Sequence, residues 1–194
     1  DKLDLLDAYV QSFVNTQIYF YDEDPKREGE RFGSSQIIDI KKEPKKIIAV
    51  MGVGKPHKEL IQRVSEYIED WHQIIHPDAQ FCRGITIGKG CFIQRRVTFF
   101  PYSQVEDFVY VNAGAIISHH VRVGSYSNIA PGAILLGRVE IGEECFIGTN
   151  AVIREKLKIA DRVTIGAGAV VVEDIVEPGT TWVGIPAKKI KESK

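Results

Sequence analysis

The sequence predicts a small α/β lobe followed by a parallel β-solenoid. Three observations carry that reading. The first seventy-odd residues alternate helix-like and strand-like apolar patterns, whereas from Ile75 onward every sixth residue is large and apolar, without a break as far as Val171. The composition is that of an ordinary soluble globular chain, with 44% apolar residues, 26% charged residues and 17 Gly in 194 residues, which excludes disorder, collagen and coiled coil.

In chain order, Leu6, Tyr9, Val10, Phe13 and Val14 fall on one face of a helix. Gln17 to Tyr21 is aromatic and β-branched and is closed by Asp22-Glu23-Asp24-Pro25, which predicts a strand ending in a turn. Ile37-Ile38-Asp39-Ile40 is a weaker strand signal. Ile47 to Met51 is a continuous apolar run stopped by Gly52 and Gly54, the pattern of a buried parallel strand. Leu60, Val64, Tyr67, Ile68 and Trp71 repeat at helical spacing, with Pro56 placed for a first helical turn.

Beyond that helix the period is six. The markers are Ile75, Phe81, Ile87, Ile93, Phe99, Val105, Val111, Ile117, Val123, Ile129, Leu135, Ile141, Ile147, Ile153, Ile159, Ile165 and Val171. Composition alone makes about seven or eight of these apolar, and an unbroken run has a chance probability on the order of one in a million per register. Two residues before most markers stands a second small or apolar residue, such as Cys91, Val109, Ala115, Ala133 or Cys145. Hexads of this kind suit three short strands per coil in a triangular prism, with residues 18 apart stacked at about 4.8 Å. Gly often follows the marker, as at Gly88, Gly124, Gly142, Gly148 and Gly166, where a missing Cβ eases a tight corner. The expected units are residues 1–74, 75–176 and a C-terminal extension, 177–194.

Charge and cysteine content narrow the function classes. Lys plus Arg (25) nearly balances Asp plus Glu (26), so a nucleic-acid partner is not expected. Three Cys without a CxxC pair predict neither a disulfide framework nor a structural zinc site, and point to a reducing cytoplasm. No run approaches the roughly 18 apolar residues of a membrane span.

The hexad register resembles the left-handed β-helix of the hexapeptide-repeat acyltransferases, and Gly184-Ile185-Pro186-Ala187-Lys188 resembles that family's C-terminal signature. The order of an α/β lobe, an Ile75-His76-Pro77-Asp78-Ala79 opening and then coils is similar to one bacterial branch. That branch comprises N-acetyltransferases of nucleotide-linked amino sugars and the related sialic acid O-acetyltransferases. The resemblance implies a Rossmann-like nucleotide-binding lobe, a left-handed parallel β-helix, acetyl-CoA as co-substrate, no metal, a role in cell-surface polysaccharide biosynthesis and a homotrimer with sites between subunits.

It also implies site residues. The family's general base is a His at the hexad place of His119, suited because a neutral imidazole accepts a proton near pH 7. Where the family follows this His with Asp or Glu, this chain has His120, so either another carboxylate orients His119, or the base is a weaker one, or His120 is itself the base. Gly137 lies 18 residues on, one coil above His119, and matches the backbone amide that meets the thioester oxyanion. Asn128, Thr149 and Ala167 match positions used against coenzyme A, and Lys188, Lys189 and Lys191 could meet its phosphates or form a solvated tail. Asp22, Glu23, Gly54 and Asn112 match acceptor-binding positions. The family's first strand and Gly-rich turn are not in this sequence, which opens at Asp1 within a helix; the lobe is therefore read as incomplete, with a preceding segment expected. His57, His72 and His76 are expected to be structural, with His76 docking the lobe on the first coil.

An O-acetyltransferase uses the same apparatus and is the nearest alternative. A non-catalytic β-helix scaffold or nucleotide-binding module is the second. Zinc hydratase chemistry on such a coil needs three convergent His, and an adjacent His119-His120 pair does not easily place both rings on one metal.

Overall fold

The hexad rule sets the architecture from Ile74 onward. The computed structural model describes residues 19–21, 26, 28–32, 35–38, 40–42, 47–49, 56 and 58–190. Seventeen two-residue strands run from Ile74–Ile75 to Val170–Val171, six residues apart throughout. Each pairs in parallel with the strand 18 residues away, as in Thr98↔Ile116, Gln104↔Arg122 and Tyr110↔Asn128. The strands form the three faces of a triangular solenoid, with six, five and six strands, and Thr181–Val183 and Lys188–Lys189 extend the last face to an eight-stranded sheet.

The core lies on the solenoid axis. All fourteen markers from Ile93 to Val171 are at most 4% exposed, and the second inward set between them, including Cys91, Val109, Ala133 and Cys145, is buried as well. Full burial of one such aliphatic side chain stabilises by roughly 1.5–3 kcal/mol. The first coil has no coil beneath it, so Ile75 and Phe81 are 36% and 42% exposed although they obey the same register. Where Gly follows a marker, the next coil approaches closely: a Cβ on Gly124 would lie 2.6 Å from the Gly142 carbonyl carbon.

Three corners separate the faces, and each is a ladder of two-residue turns 18 apart. One carries Arg83-Gly84, Pro101-Tyr102, His119-His120, Gly137-Arg138 and Glu155-Lys156; the second residue of each turn has a positive φ. The next carries Ala113-Gly114, Pro131-Gly132, Thr149-Asn150 and Ala167-Gly168. The third carries Asp107-Phe108, Ser125-Tyr126, Glu143-Glu144 and Asp161-Arg162.

The outer faces differ in chemistry. Outward residues of the five-stranded sheet are polar, Gln104, Arg122, Glu140 and Lys158 in register, with Lys158 Nζ 3.2 Å from Glu140. Those of the six-stranded sheet begin with Gln80 and Thr98 and continue as Ile116, Ile134, Val152 and Val170, an apolar ladder left partly exposed over the last four strands. On the eight-stranded sheet Ile74, Phe92, Tyr110 and Asn128 point outward yet are all at most 4% exposed.

Before the coils, Tyr19–Tyr21 and Arg31–Phe32 flank Ser35–Ile38 in a three-stranded sheet, and Ile47–Ala49 pairs in parallel with Ile68–Trp71. The parallel strand expected at Ile47 is thus present. The helix expected over Leu60 to Trp71 is shorter: Lys58–Val64 is α-helical, Ser65–Tyr67 is a 3-10 turn, and Ile68–Trp71 is a strand. Pairing with Ile47–Ala49 overrides the helical spacing, since the backbone hydrogen bonds of a strand are non-local. The strand signal at Ile37 begins earlier, at Ser35, and Ile40 opens a 3-10 turn instead. The predicted helix at Leu6 to Val14 lies outside the described residues, as do Asp22, Glu23, Gly54, His57 and Lys191.

The Lys58–Val64 helix docks on the third corner. Ile61 is buried with Phe108, Trp71 meets Phe108 edge-on at 5.2 Å, and Phe108 stacks on Tyr126 at 5.3 Å. Lys58 closes the contact, 2.7 Å from Glu144 and 3.5 Å from Glu143, and its hydrogen bond to Glu144 raises its pKa above the usual lysine value. His76, expected to be structural, makes a local contact. Its Nδ1 accepts the Asp78 N–H at 3.0 Å and so holds its own turn.

Candidate functional site

Each corner turn points its side chains away from the prism axis, and at this one His119 and His120 are both exposed. The turn is fixed by its neighbours one coil away. His120 N–H donates to the Pro101 carbonyl at 3.1 Å, and Arg138 N–H donates to the His119 carbonyl at 2.9 Å. His120 takes a φ of 58°, a region where few side chains other than Asn, Asp and His are enriched.

The His119 ring lies over Gly137. A Cβ added there would sit 2.5 Å from His119 Nε2 and 2.6 Å from Cε1, so the ring occupies the space that Gly137 leaves. Gly137 is itself buried, and its N–H has no hydrogen-bond partner among the described residues. A pocket of about 300 Å³ opens at this point, lined by Ser118, His119, Leu136, Gly137, Arg138, Glu155 and Lys156. It therefore combines an imidazole nitrogen, an unused backbone donor and both signs of charge.

On its other side the His119 ring meets His120. The two Nδ1 atoms are 3.2 Å apart, with the rings at 85°. His120 in turn packs against Tyr102, ring centroids 5.2 Å apart, and Arg83 lies over the far ring at 5.6 Å. Gly84 makes room for that stack, since a Cβ there would be 2.6 Å from Tyr102 Cδ1. The carboxylate that the sequence left open as a partner for His119 has one candidate in the pocket, Glu155, two coils above His119 in the same column.

Thr149 and Ala167 are exposed and stacked on the second corner, with Gly168 N–H donating to the Thr149 carbonyl at 2.8 Å. Below them the corner runs through Pro131-Gly132 and Ala113-Gly114 down to Arg95-Arg96, and added Cβ atoms on Gly114 or Gly168 would meet nothing within 4 Å. Asn128 is not on this corner. It lies on the eight-stranded sheet, 4% exposed, and its Oδ1 accepts from Asn112 Nδ2 at 3.0 Å. The structure thus joins Asn112 and Asn128, which sequence reasoning assigned to different ligands; their contact crosses from one coil to the next at a 16-residue offset that the 18-residue rule does not announce.

Other candidates take no part at the pocket. Lys188 faces Glu173 at 3.9 Å and Lys189 pairs with Glu177. Cys91 and Cys145 are buried in the core, where burial pushes their thiols up to about 12 and about 11, so neither is a nucleophile near neutral pH. Among the described residues no cluster of three or more His, Cys, Asp or Glu could hold a metal ion, and no helix is long and apolar enough to cross a membrane.

Comparison with known proteins places this geometry. The profile of the bacterial transferase hexapeptide family (six repeats) matches residues 138–173. No curated protein sequence matches significantly. Among solved structures, the acetyltransferase domain of PglB from Neisseria gonorrhoeae, in complex with acetyl coenzyme A, is 30% identical. That match covers 95% of this chain and 91% of that one at a TM-score of 0.82. PerB from Caulobacter crescentus, in complex with CoA and GDP-perosamine, is 27% identical over 73% of this chain and 69% of that one, with a TM-score of 0.70. WeeI from Acinetobacter baumannii shares the fold at 21% identity, covering 97% of this chain and 92% of that one at a TM-score of 0.78.

Proposed function

The chain belongs to the hexapeptide-repeat acyltransferases, and on that premise we propose that it transfers acetyl from acetyl-CoA to the amino group of a nucleotide-linked deoxyamino sugar. The observation that carries the reading is the pairing of His119 Nε2 with Gly137 at the mouth of the pocket. The PglB domain binds acetyl coenzyme A, and PerB binds CoA together with GDP-perosamine, a nucleotide-linked amino sugar. Family membership supports reading the solenoid as left-handed, and with it we read the first seventy-odd residues as a Rossmann-like lobe for the nucleotide, with Asp22, Glu23 and Gly54 proposed for the acceptor.

In the reaction the sugar nitrogen attacks the thioester carbonyl carbon and passes a proton to His119 Nε2. The oxyanion accepts the free Gly137 N–H, which stabilises charge where it develops. The C–S bond then breaks, and the proton on His119 leaves with the thiolate as coenzyme A thiol.

The two ligands need two copies of the chain. The His119 corner and the Thr149-Ala167 corner flank the six-stranded sheet, whose outward ladder is Ile116, Ile134, Val152 and Val170. Packing these apolar faces around a three-fold axis brings the His119 corner of one protomer beside the Thr149-Ala167 corner of the next. The small side chains of that second corner leave an unobstructed track for an extended pantetheine, and the trimer supplies a base at its end. Exposed apolar surface of this kind in a soluble chain marks an interface.

Thiol release from acetyl-CoA in the presence of GDP- and UDP-linked amino sugars tests the proposal. Release that depends on the amino sugar is expected. Release with hydroxyl-bearing sugars alone would replace it by O-acetyl transfer, and no release with any acceptor would overturn it.

A further inference from the structure

We propose that His120 is a positioning residue for His119, accepting the Nδ1 proton of His119 on its own Nδ1 and thereby leaving His119 Nε2 unprotonated toward the pocket. The inference rests on His119 being the base. Two nitrogens of the same kind stand 3.2 Å apart, and a hydrogen bond between them needs one proton, on one ring only. If His120 donates, His119 must carry its own proton on Nε2, against Gly137, and cannot accept one from the acceptor amine. If His119 donates, Nε2 is a free acceptor at the pocket, and His120 carries its proton on the outward Nε2. Only the second arrangement gives a working base.

The surroundings hold His120 in the accepting position. Its αL backbone, anchored to the Pro101 carbonyl, aims the ring back along the corner, and Tyr102 packs against it. Arg83 lies behind Tyr102, and Arg138 and Lys156 line the pocket beside Glu155. When His119 takes up the amine proton it becomes a cation with Nδ1–H still directed at His120, and the same contact becomes a charge-assisted hydrogen bond. A neutral ring in the αL turn thus does the orienting work for which a carboxylate is otherwise suited.

Two measurements on the full chain test this. Nitrogen-detected NMR of the ligand-free protein reads the tautomer directly and needs no substrate: His119 protonated on Nδ1 is expected, and His119 protonated on Nε2 would overturn the proposal whatever the acceptor proves to be. Kinetics of three variants give the second readout. His120→Phe keeps the ring stack on Tyr102 but has no acceptor, and His120→Ala has neither; each should lose roughly 10–100-fold in kcat with the KM for acetyl-CoA unchanged. His120→Asn, whose Oδ1 can stand where Nδ1 stood and which tolerates a positive φ, should recover most of that loss. Wild-type kcat in His120→Phe would overturn the assignment. A wild-type chain that turns over no amino sugar but shows the Nδ1–H tautomer would refute the proposed reaction and not the pairing.

Discussion

His119 occupies the place of a side chain that Gly137 lacks: the nearest ring atom, Nε2, is 2.5 Å from where a Cβ would stand. The proposed base and oxyanion donor are therefore in one contact, made between adjacent coils.

Gly137→Ala should displace the imidazole and lower kcat roughly 100-fold, the order expected when a catalytic group is misplaced by about 1 Å. Gly137 does not need a positive φ, and the atom that must yield is the exposed end of a side chain, so the melting temperature should hardly change. Steady-state kinetics and thermal melting of one variant check both halves.

His119→Ala should reduce kcat by about 10²–10⁴-fold while acetyl-CoA binding is retained, because the ring works on the acceptor proton rather than on the pantetheine. Isothermal titration beside the activity assay separates the two effects.

A site shared between protomers predicts complementation. His119→Ala destroys the base and Ala167→Trp blocks the small-residue corner, so each homotrimer should be inactive. Mixing the two after unfolding and refolding should recover part of the activity, since some sites then draw an intact corner from each partner. No recovery would place the whole site in one chain. Ile134→Asp, which puts a charge in the apolar ladder, should give folded monomers by sedimentation.

Stability should follow position along the solenoid. Ile147→Ala empties a fully buried place and should cost about 2–5 kcal/mol in urea denaturation. Ile75→Ala, in the same column of the same repeat but 36% exposed on the first coil, should cost much less.

The buried thiols predict an alkaline limit. Below the ordinary thiol value of 9.0 both folded and unfolded chains keep these protons, and stability is indifferent to them. Above it the unfolded chain releases protons that the folded one retains, up to about 12 at Cys91 and about 11 at Cys145, so stability falls as pH rises through that window. Thermal melting at pH 7.5 and 10.5 should show the loss. A Cys91→Ala, Cys145→Ala variant should lose less, and Ala is already accepted at the equivalent inward positions Ala115 and Ala133.

How much was legible beforehand differs between the two halves of the chain. In the solenoid, Ile117, His119 and Gly137 could be placed relative to one another by counting, because a six-residue period leaves one backbone solution per hexad. In the lobe, Tyr67, Ile68 and Trp71 kept helical spacing and yet Ile68–Trp71 is a strand, because its partner at Ile47–Ala49 is 21 to 22 residues away and no local pattern reports it. Phe92 and Tyr110 stand at outward places in the register and are nevertheless buried, packed with each other and with Ile74, which the register alone does not report.

The sequence by itself determined the solenoid, the 18-residue stacking, the three corners and the membership of the His119 and Thr149-Ala167 columns, since all of these follow from periodicity. Only the tertiary structure decided that the His119 ring turns over Gly137, that its Nδ1 meets His120, that Asn112 bonds Asn128, and that the Lys58–Val64 helix seats on Phe108. Each of these depends on side-chain torsions and on segments far apart in the chain. A repeat fixes where a Cβ stands; the neighbours it finds in space fix where the rest of the side chain goes.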